Sequence, residues 1–268
     1  MTARAALLVT VVALLTGAAM AWLGRPSELG VETGGAPQAR PTARTRPCRV
    51  LFLGNSFTQV NDLPRLVAQL TEAGTEPVHF EYEMRAPGGE TLQAHARSNE
   101  VAALLHGRSW EWVVLQEQSR VPAYEGPTRT AFMYPAARQL DALARACGAR
   151  TVFYETWGYK KGDPQQGPGD SFEAMQQRLV DGYATIAREL SAAVAPVGPA
   201  WARAHAARPG LELWGPDGMH PAPAGSYLAA CVLYTVFHGH APVGNPFHGG
   251  LSDADARFLQ QVAADTAP

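Results

Sequence analysis

The sequence predicts an α/β fold, a parallel sheet covered by helices on both faces, on three observations. Short β-branched runs alternate with longer amphipathic stretches. The stretches between runs are long enough for right-handed crossovers. The apolar runs end abruptly in glycine-bearing or amide-bearing turns, and in an open parallel sheet such turns form the ligand crevice at the carboxyl ends of the strands.

The N-terminus is set apart from this pattern. Arg4 precedes an apolar run from Ala5 to Leu15 and small residues ending in Ala19-Met20-Ala21, the grammar of a signal peptide. Read through to Leu23, the same stretch reaches the length of an uncleaved membrane anchor. Residues 1–23 are therefore expected to export the chain, either secreted or periplasmic or held at the outer face of a membrane. Residues 24–47, rich in Pro, Gly, Thr and Arg without apolar periodicity, read as a flexible tether. Residues 48–268 remain as one domain, and 46% hydrophobic content in 268 residues gives it a substantial core. A net charge of −2 lacks the basic excess that binds phosphate backbones, so no nucleic acid partner is expected. Cys48, Cys147 and Cys231 permit at most one disulfide, and Cys231, among apolar residues, reads as a core cysteine.

Within the domain, residues 48–54 (CRVLFLG) form the first strand, and a helix over 63–73 ends at Gly74. Strands follow over 78–84, 110–116 and 150–156, with a weak fifth over 194–197. Helices are expected over 92–106, 130–147, 171–190 and 224–238. Residues 158–169 (GYKKGDPQQGPG) break the rhythm and form a loop at the carboxyl end of the fourth strand, a candidate lid or a plain surface insertion.

Three turns carry unusual residues. In Gly54-Asn55-Ser56, the serine stands ahead of a helix, where backbone N–H groups stabilise negative charge, although Asn and Ser are also ordinary cap residues. Gly88-Gly89 permits positive φ and lets an N–H approach an oxyanion. Gln116-Glu117-Gln118 ends the third apolar strand, and a side-chain amide there can donate to developing charge. The strongest local signal is Pro216-Asp217-Gly218-Met219-His220-Pro221, a stiff turn in which Asp217 can fix the tautomer of His220 for a serine hydroxyl.

GNSFT, a glycine after the second strand, an amide after the third, and DxxH before a C-terminal helix together resemble the ordered blocks of the SGNH/GDSL hydrolase superfamily. LFLGNSF, GGETL, VVLQEQS, ETWGY, PVGPAW and DGMHPAPAGSYLAA resemble one largely uncharacterised bacterial branch of it. The resemblance spans residues 48–239. It implies a flavodoxin-like three-layer α/β/α sandwich with strand order 2-1-3-4-5 and a serine esterase site needing no cofactor and no metal. Ser56 is then the nucleophile and first oxyanion donor, Gly89 or Gly88 the second donor, His220 the general base and acid, and Asp217 its orienting carboxylate. The superfamily places Asn in its third block, where this chain offers Gln116 or Gln118; Gln116 is favoured because it follows the strand directly. Asn55, Tyr124, Trp157 and Tyr159, at the same sheet edge, are candidates to contact substrate, although Trp157 also suits simple packing.

The implied substrate is a short acyl ester, acetyl above all, on a carbohydrate. An acyltransferase or a non-hydrolytic acyl-carbohydrate-binding protein could use the same residues, and a surface-attachment role leaves the four blocks unexplained. His238, His240 and His248 form a rival metal set, but their loop-like stretch offers no acidic residue to complete it. Burial against the sheet accounts for the apolar 224–238 helix without a dimer, and the oligomeric state is left open.

Overall fold

The computed structural model describes residues 46–266. The leader, 1–23, and the tether, 24–47, fall outside them except for Arg46 and Pro47.

Strand β1 (Cys48–Leu53) passes through a short helix α1 (Ser56–Gln59) and a 3-10 turn (Val60–Asp62) into α2 (Leu63–Ala73). Then come β2 (Phe80–Arg85) with α3 (Leu92–Arg97) and α4 (Asn99–Gly107), and β3 (Trp112–Leu115) with α5 (Pro127–Phe132) and α6 (Tyr134–Ala146). Next are β4 (Arg150–Glu155) with α7 (Phe172–Leu190) and β5 (Ala193–Pro196) with α8 (Val197–Ala207). Helices α9 (Pro223–His238) and α10 (Asp253–Thr266) close the described chain. The five strands pair in parallel in the order β2-β1-β3-β4-β5, the expected flavodoxin-like sheet.

Two-residue alternation along the strands divides the core between the two faces. Val50, Phe52, Trp112, Val114, Val152 and Tyr154 pack toward one face with α2, α8, α9 and α10. Leu51, Leu53, Val113, Leu115 and Phe153 pack toward the other with α4 and α6. Burial on both faces explains why β1 and β3 read as continuous apolar runs rather than alternating ones.

The structure alters several expected elements for local reasons. The 92–106 helix is broken at Ser98 (φ −79°, ψ 121°), which ends α3 and caps α4, its Oγ accepting from the Val101 N–H at 3.3 Å. The 130–147 helix begins at Pro127 and divides at Met133, just before Pro135, which has no N–H to continue the ladder. Strand β2 begins two residues later than expected, and β3 starts at Trp112 and stops at Leu115, one residue short of Gln116. Helices α8 and α10 were not expected. The three cysteines form no disulfide among the described residues, and Cys231 lies buried in the core.

Candidate active site

The first turn is shaped by close approach. A Cβ on Gly54 would meet Thr58 Oγ1 at 2.4 Å and Gln116 Oε1 at 2.6 Å, so a side chain is excluded there. Asn55 caps α1 in an extended conformation, its Oδ1 accepting from the Phe57 N–H at 3.2 Å. Ser56 is thus the first residue of a helix, and its N–H has no intrahelical acceptor. Left-handed Asn61 (φ 58°) then turns the chain and donates through Nδ2 to the Pro221 carbonyl at 3.1 Å and Ser226 Oγ at 2.9 Å. That bond ties the serine turn to the residue following His220.

The histidine arrives on a loop closed by an antiparallel bridge between Trp214 and Pro221. The Gly215 N–H donates to the His220 carbonyl at 2.6 Å, and the Ala222 N–H to the Leu213 carbonyl at 2.9 Å. Gly218 takes φ 69°, and the Lys160 N–H donates to its carbonyl at 2.8 Å. Asp217 Oδ1 accepts the N–H groups of Met219 and His220, both at 2.9 Å. Its Oδ2 lies 2.5 Å from His220 Nδ1, and His220 Nε2 lies 2.8 Å from Ser56 Oγ. These distances suit a neutral ring that donates from Nδ1 to Asp217 and accepts the Ser56 hydroxyl at Nε2. Desolvation pushes the Asp217 carboxyl up, but the bonds from His220 and the two N–H groups outweigh it and leave its pKa lowered. The carboxylate therefore stays ionised beside the ring.

A pocket of about 240 Å³ opens over this chain, with Asn55, Ser56, Gly89, Gln118, Tyr159 and His220 in its wall. Gly89 occupies a turn from Pro87 to Glu90 at φ 74°, and its N–H has no hydrogen-bond partner among the described residues. Gly88, in the same turn, does not reach the pocket. Tyr159 shares a 2.6 Å hydrogen bond with Ser119 and separates this pocket from a wider cleft of about 920 Å³. Lys160, Lys161, Trp214, Pro216 and Met219 line that cleft. The 158–169 loop forms its wall and is bonded down, with the Asp163 N–H donating to Asp170 and Arg178 gripping Asp170 through two bonds at 2.8 and 2.9 Å.

Besides Gly88, three expected site residues are placed differently. Gln116 is fully buried; its Oε1 accepts from the Asn55 N–H and Thr58 Oγ1, both at 2.9 Å, and its Nε2 donates to Asn55 Oδ1 at 3.0 Å and to the Glu117 carbonyl. Its donor is thereby consumed, because the strand stops at Leu115 and Gln116 turns inward; Gln118 faces the pocket instead. Trp157 is sandwiched between Phe57 (4.8 Å, 3°) and Trp201 (3.9 Å, 9°), donates to the Met219 carbonyl at 2.9 Å, and exposes no surface to a ligand. Tyr124 lies off the pocket and donates to Gln165 Oε1 at 3.2 Å.

The sequence reading assigned no role to Asn61, Glu117 or His95. Buried His95 donates from Nε2 to the Gly54 carbonyl at 2.7 Å, and burial, partly opposed by that bond, lowers its pKa and keeps it neutral. The Asn61-Asp62 pair was the one visible signal, since Asn and Asp tolerate the left-handed region best. His238 and His240 pack beside Tyr234 at tilted and edge-on angles, whereas His248 faces Asp253, so the three histidines do not converge. Among the described residues no cluster of His, Cys, Asp and Glu has the makings of a metal site.

No family model and no curated protein matches the sequence. Solved structures do. A protein from Slackia heliotrinireducens, provisionally described as an SGNH hydrolase, is 33% identical over 70% of this chain and 98% of its own, with a TM-score of 0.60. A DUF4886 family protein from Bacteroides uniformis is 18% identical over 82% of this chain and 94% of its own, with a TM-score of 0.69. An acetylxylan esterase from Geobacillus stearothermophilus is 17% identical over 71% and 94% respectively, at a TM-score of 0.52. The last two likenesses are of fold.

Proposed function

Because this chain belongs to the SGNH hydrolases and is a serine ester hydrolase of that kind, we propose that Ser56, His220 and Asp217 carry out hydrolysis of short acyl esters borne on carbohydrate. The observation that carries this reading is the continuous hydrogen-bonded line from Asp217 through His220 to Ser56. Ser56 Oγ attacks the ester carbonyl as its proton passes to His220 Nε2, and Asp217 stabilises the resulting imidazolium. The oxyanion is received by the N–H groups of Ser56 and Gly89, with the Gln118 amide as third donor. His220 then returns the proton to the departing alcohol. Water, activated by the same ring, releases the acyl group.

Pocket size supports a small acyl group and a large alcohol. The space beside Ser56 is about 240 Å³, whereas the cleft beyond Tyr159 holds about 920 Å³ and mixes lysines with proline and Trp214. The acetylxylan esterase of like fold acts on an acetylated polysaccharide by its name, and we extend that substrate class to this chain. Roughly a third of each of the His220 and Asp217 side chains is exposed, which favours water over a second alcohol as acceptor and hydrolysis over acyl transfer. The leader at 1–23 makes an exported enzyme part of the proposal.

The test is hydrolysis of p-nitrophenyl acetate, butyrate and octanoate by the purified protein beside a folded Ser56→Ala variant. Acetate is expected to be turned over fastest, with at least about a 1000-fold loss in the variant. Equal rates in wild type and Ser56→Ala would remove Ser56 from the mechanism.

A further inference from the structure

We propose that Glu117 is the positioning residue of the oxyanion hole, setting where the Gly89 turn stands relative to Ser56. This inference rests on the esterase reading above. Glu117 does not face the pocket; it lies wholly buried beneath it, at the point where the three site turns meet. One carboxylate oxygen, Oε1, accepts the N–H of Leu92, three residues beyond Gly89, at 3.1 Å, and the N–H of Gln118 at 2.7 Å. Its backbone carbonyl accepts Asn55 Nδ2 at 3.4 Å, and the same Nδ2 donates to the Glu90 carbonyl at 2.9 Å. Its own N–H donates to Tyr183 Oη at 3.2 Å, anchoring the knot to α7. One side chain thus bonds to the first residue of α3, just beyond the second turn, and to the third turn, while its carbonyl bonds to the first.

Burying this residue is costly. The other carboxylate oxygen, Oε2, has no hydrogen-bond partner among the described residues. Among the described residues no cation offsets the burial, and the charged or titratable neighbours are the Tyr183 phenol and, interacting with it, the Glu155 carboxyl. Burial, opposed by the two N–H bonds, raises its pKa to about 7. An apolar side chain of equal volume would be better tolerated by the core, but it would leave the Leu92 and Gln118 N–H groups without an acceptor and free the Gly89 turn to drift. Oxyanion donors act through placement to within a few tenths of an ångström, so drift reduces transition-state stabilisation more than substrate binding.

The experiment compares Glu117→Gln and Glu117→Met on p-nitrophenyl acetate, with folding checked by near-UV circular dichroism. Gln keeps an acceptor at Oε1, and Met keeps the volume without one. Expected are kcat within about 5-fold of wild type for E117Q, and a kcat about 100-fold lower for E117M with KM within 2-fold. Inactivation by a p-nitrophenyl phosphonate, which also needs the oxyanion hole, should slow in parallel. A folded E117M with near-normal kcat overturns the proposal, as does a loss expressed in KM alone. Failure of E117M to fold beside a folded, active E117Q marks Glu117 as a folding determinant and overturns it too. An inactive wild type would instead bring down the esterase reading and this inference with it.

Discussion

At the scale of single residues, the two glutamines flanking Glu117 are chemically alike and do different work. Gln116 spends both ends of its amide on Asn55, Thr58 and Glu117, whereas Gln118 stands in the pocket wall, its Oε1 accepting the Arg120 N–H at 2.9 Å and its Nε2 held only by a long 3.5 Å bond to Ser119 Oγ. Gln116→Ala leaves a buried N–H and a hydroxyl without their acceptor and is expected to cost about 2 kcal/mol of stability, read as a lowered urea midpoint. Gln118→Ala, which takes an acceptor only from the part-buried Arg120 N–H, should cost at most about 1 kcal/mol by the same readout and lower kcat by about 10- to 100-fold. The opposite pattern would return Gln116 to the oxyanion hole. The sequence could not separate them because strand parity makes 116 and 118 equivalent only while the strand continues, and β3 ends at Leu115. By contrast, the Asp-x-x-His spacing was readable: both members lie on one short turn, so local stereochemistry alone brings them together.

At the scale of elements, the serine and histidine lie far apart in the chain and are registered by packing. Helix α9 seats itself directly behind the His220 loop through Gly225, where a Cβ would strike the Leu213 carbonyl and Trp201 Cη2, both at 2.3 Å. Neither neighbour is a flexible tip. Gly225→Ala is therefore expected to lower stability by about 2 kcal/mol, roughly 4–8 °C in the melting temperature. It should also reduce kcat, since the Leu213 carbonyl holds the Ala222 N–H at the base of the loop; an unchanged melt would show that α9 can shift freely. The strand and helix alternation was legible because β1 from Val50 onward and β3 are buried on both faces and read as unbroken apolar runs, and because β4 carries Val152-Phe153-Tyr154 at its centre. Helix α10 went unread although its signal is there: Ser252 caps its start by accepting the Asp255 N–H at 3.1 Å, and Ala256, Leu259 and Ala263 fall on one buried face. Its absence from the sequence reading left the all-round apolar character of α9 only partly explained. With α10 and α2 packed against α9, thirteen of its sixteen residues are buried.

At the scale of the whole molecule, two carboxyls are held in the core behind the site without a cation. Glu117 is raised to about 7 by burial against its two N–H bonds, and Glu155, whose Oε1 has no hydrogen-bond partner among the described residues, is raised to about 8 by burial alone. Unfolded, each would ionise near 4.3. Between that value and the native one, the folded chain binds more protons than the unfolded chain, so stability falls as pH rises from about 4.5 to about 8. Glu155→Gln replaces a group that must stay neutral with one that always is. It should melt higher than wild type at pH 9, by about 3 kcal/mol of added stability, and close to wild type at pH 5. Parallel melting curves across that range would show that Glu155 is ionised in the native state. The same burial has a consequence for the solution around the protein. At neutral pH the unfolded chain holds these two groups as anions, whereas the native chain holds Glu155 largely and Glu117 partly as the acid, so folding draws protons from the medium. A weakly buffered sample would turn measurably more alkaline as the sheet closes over them.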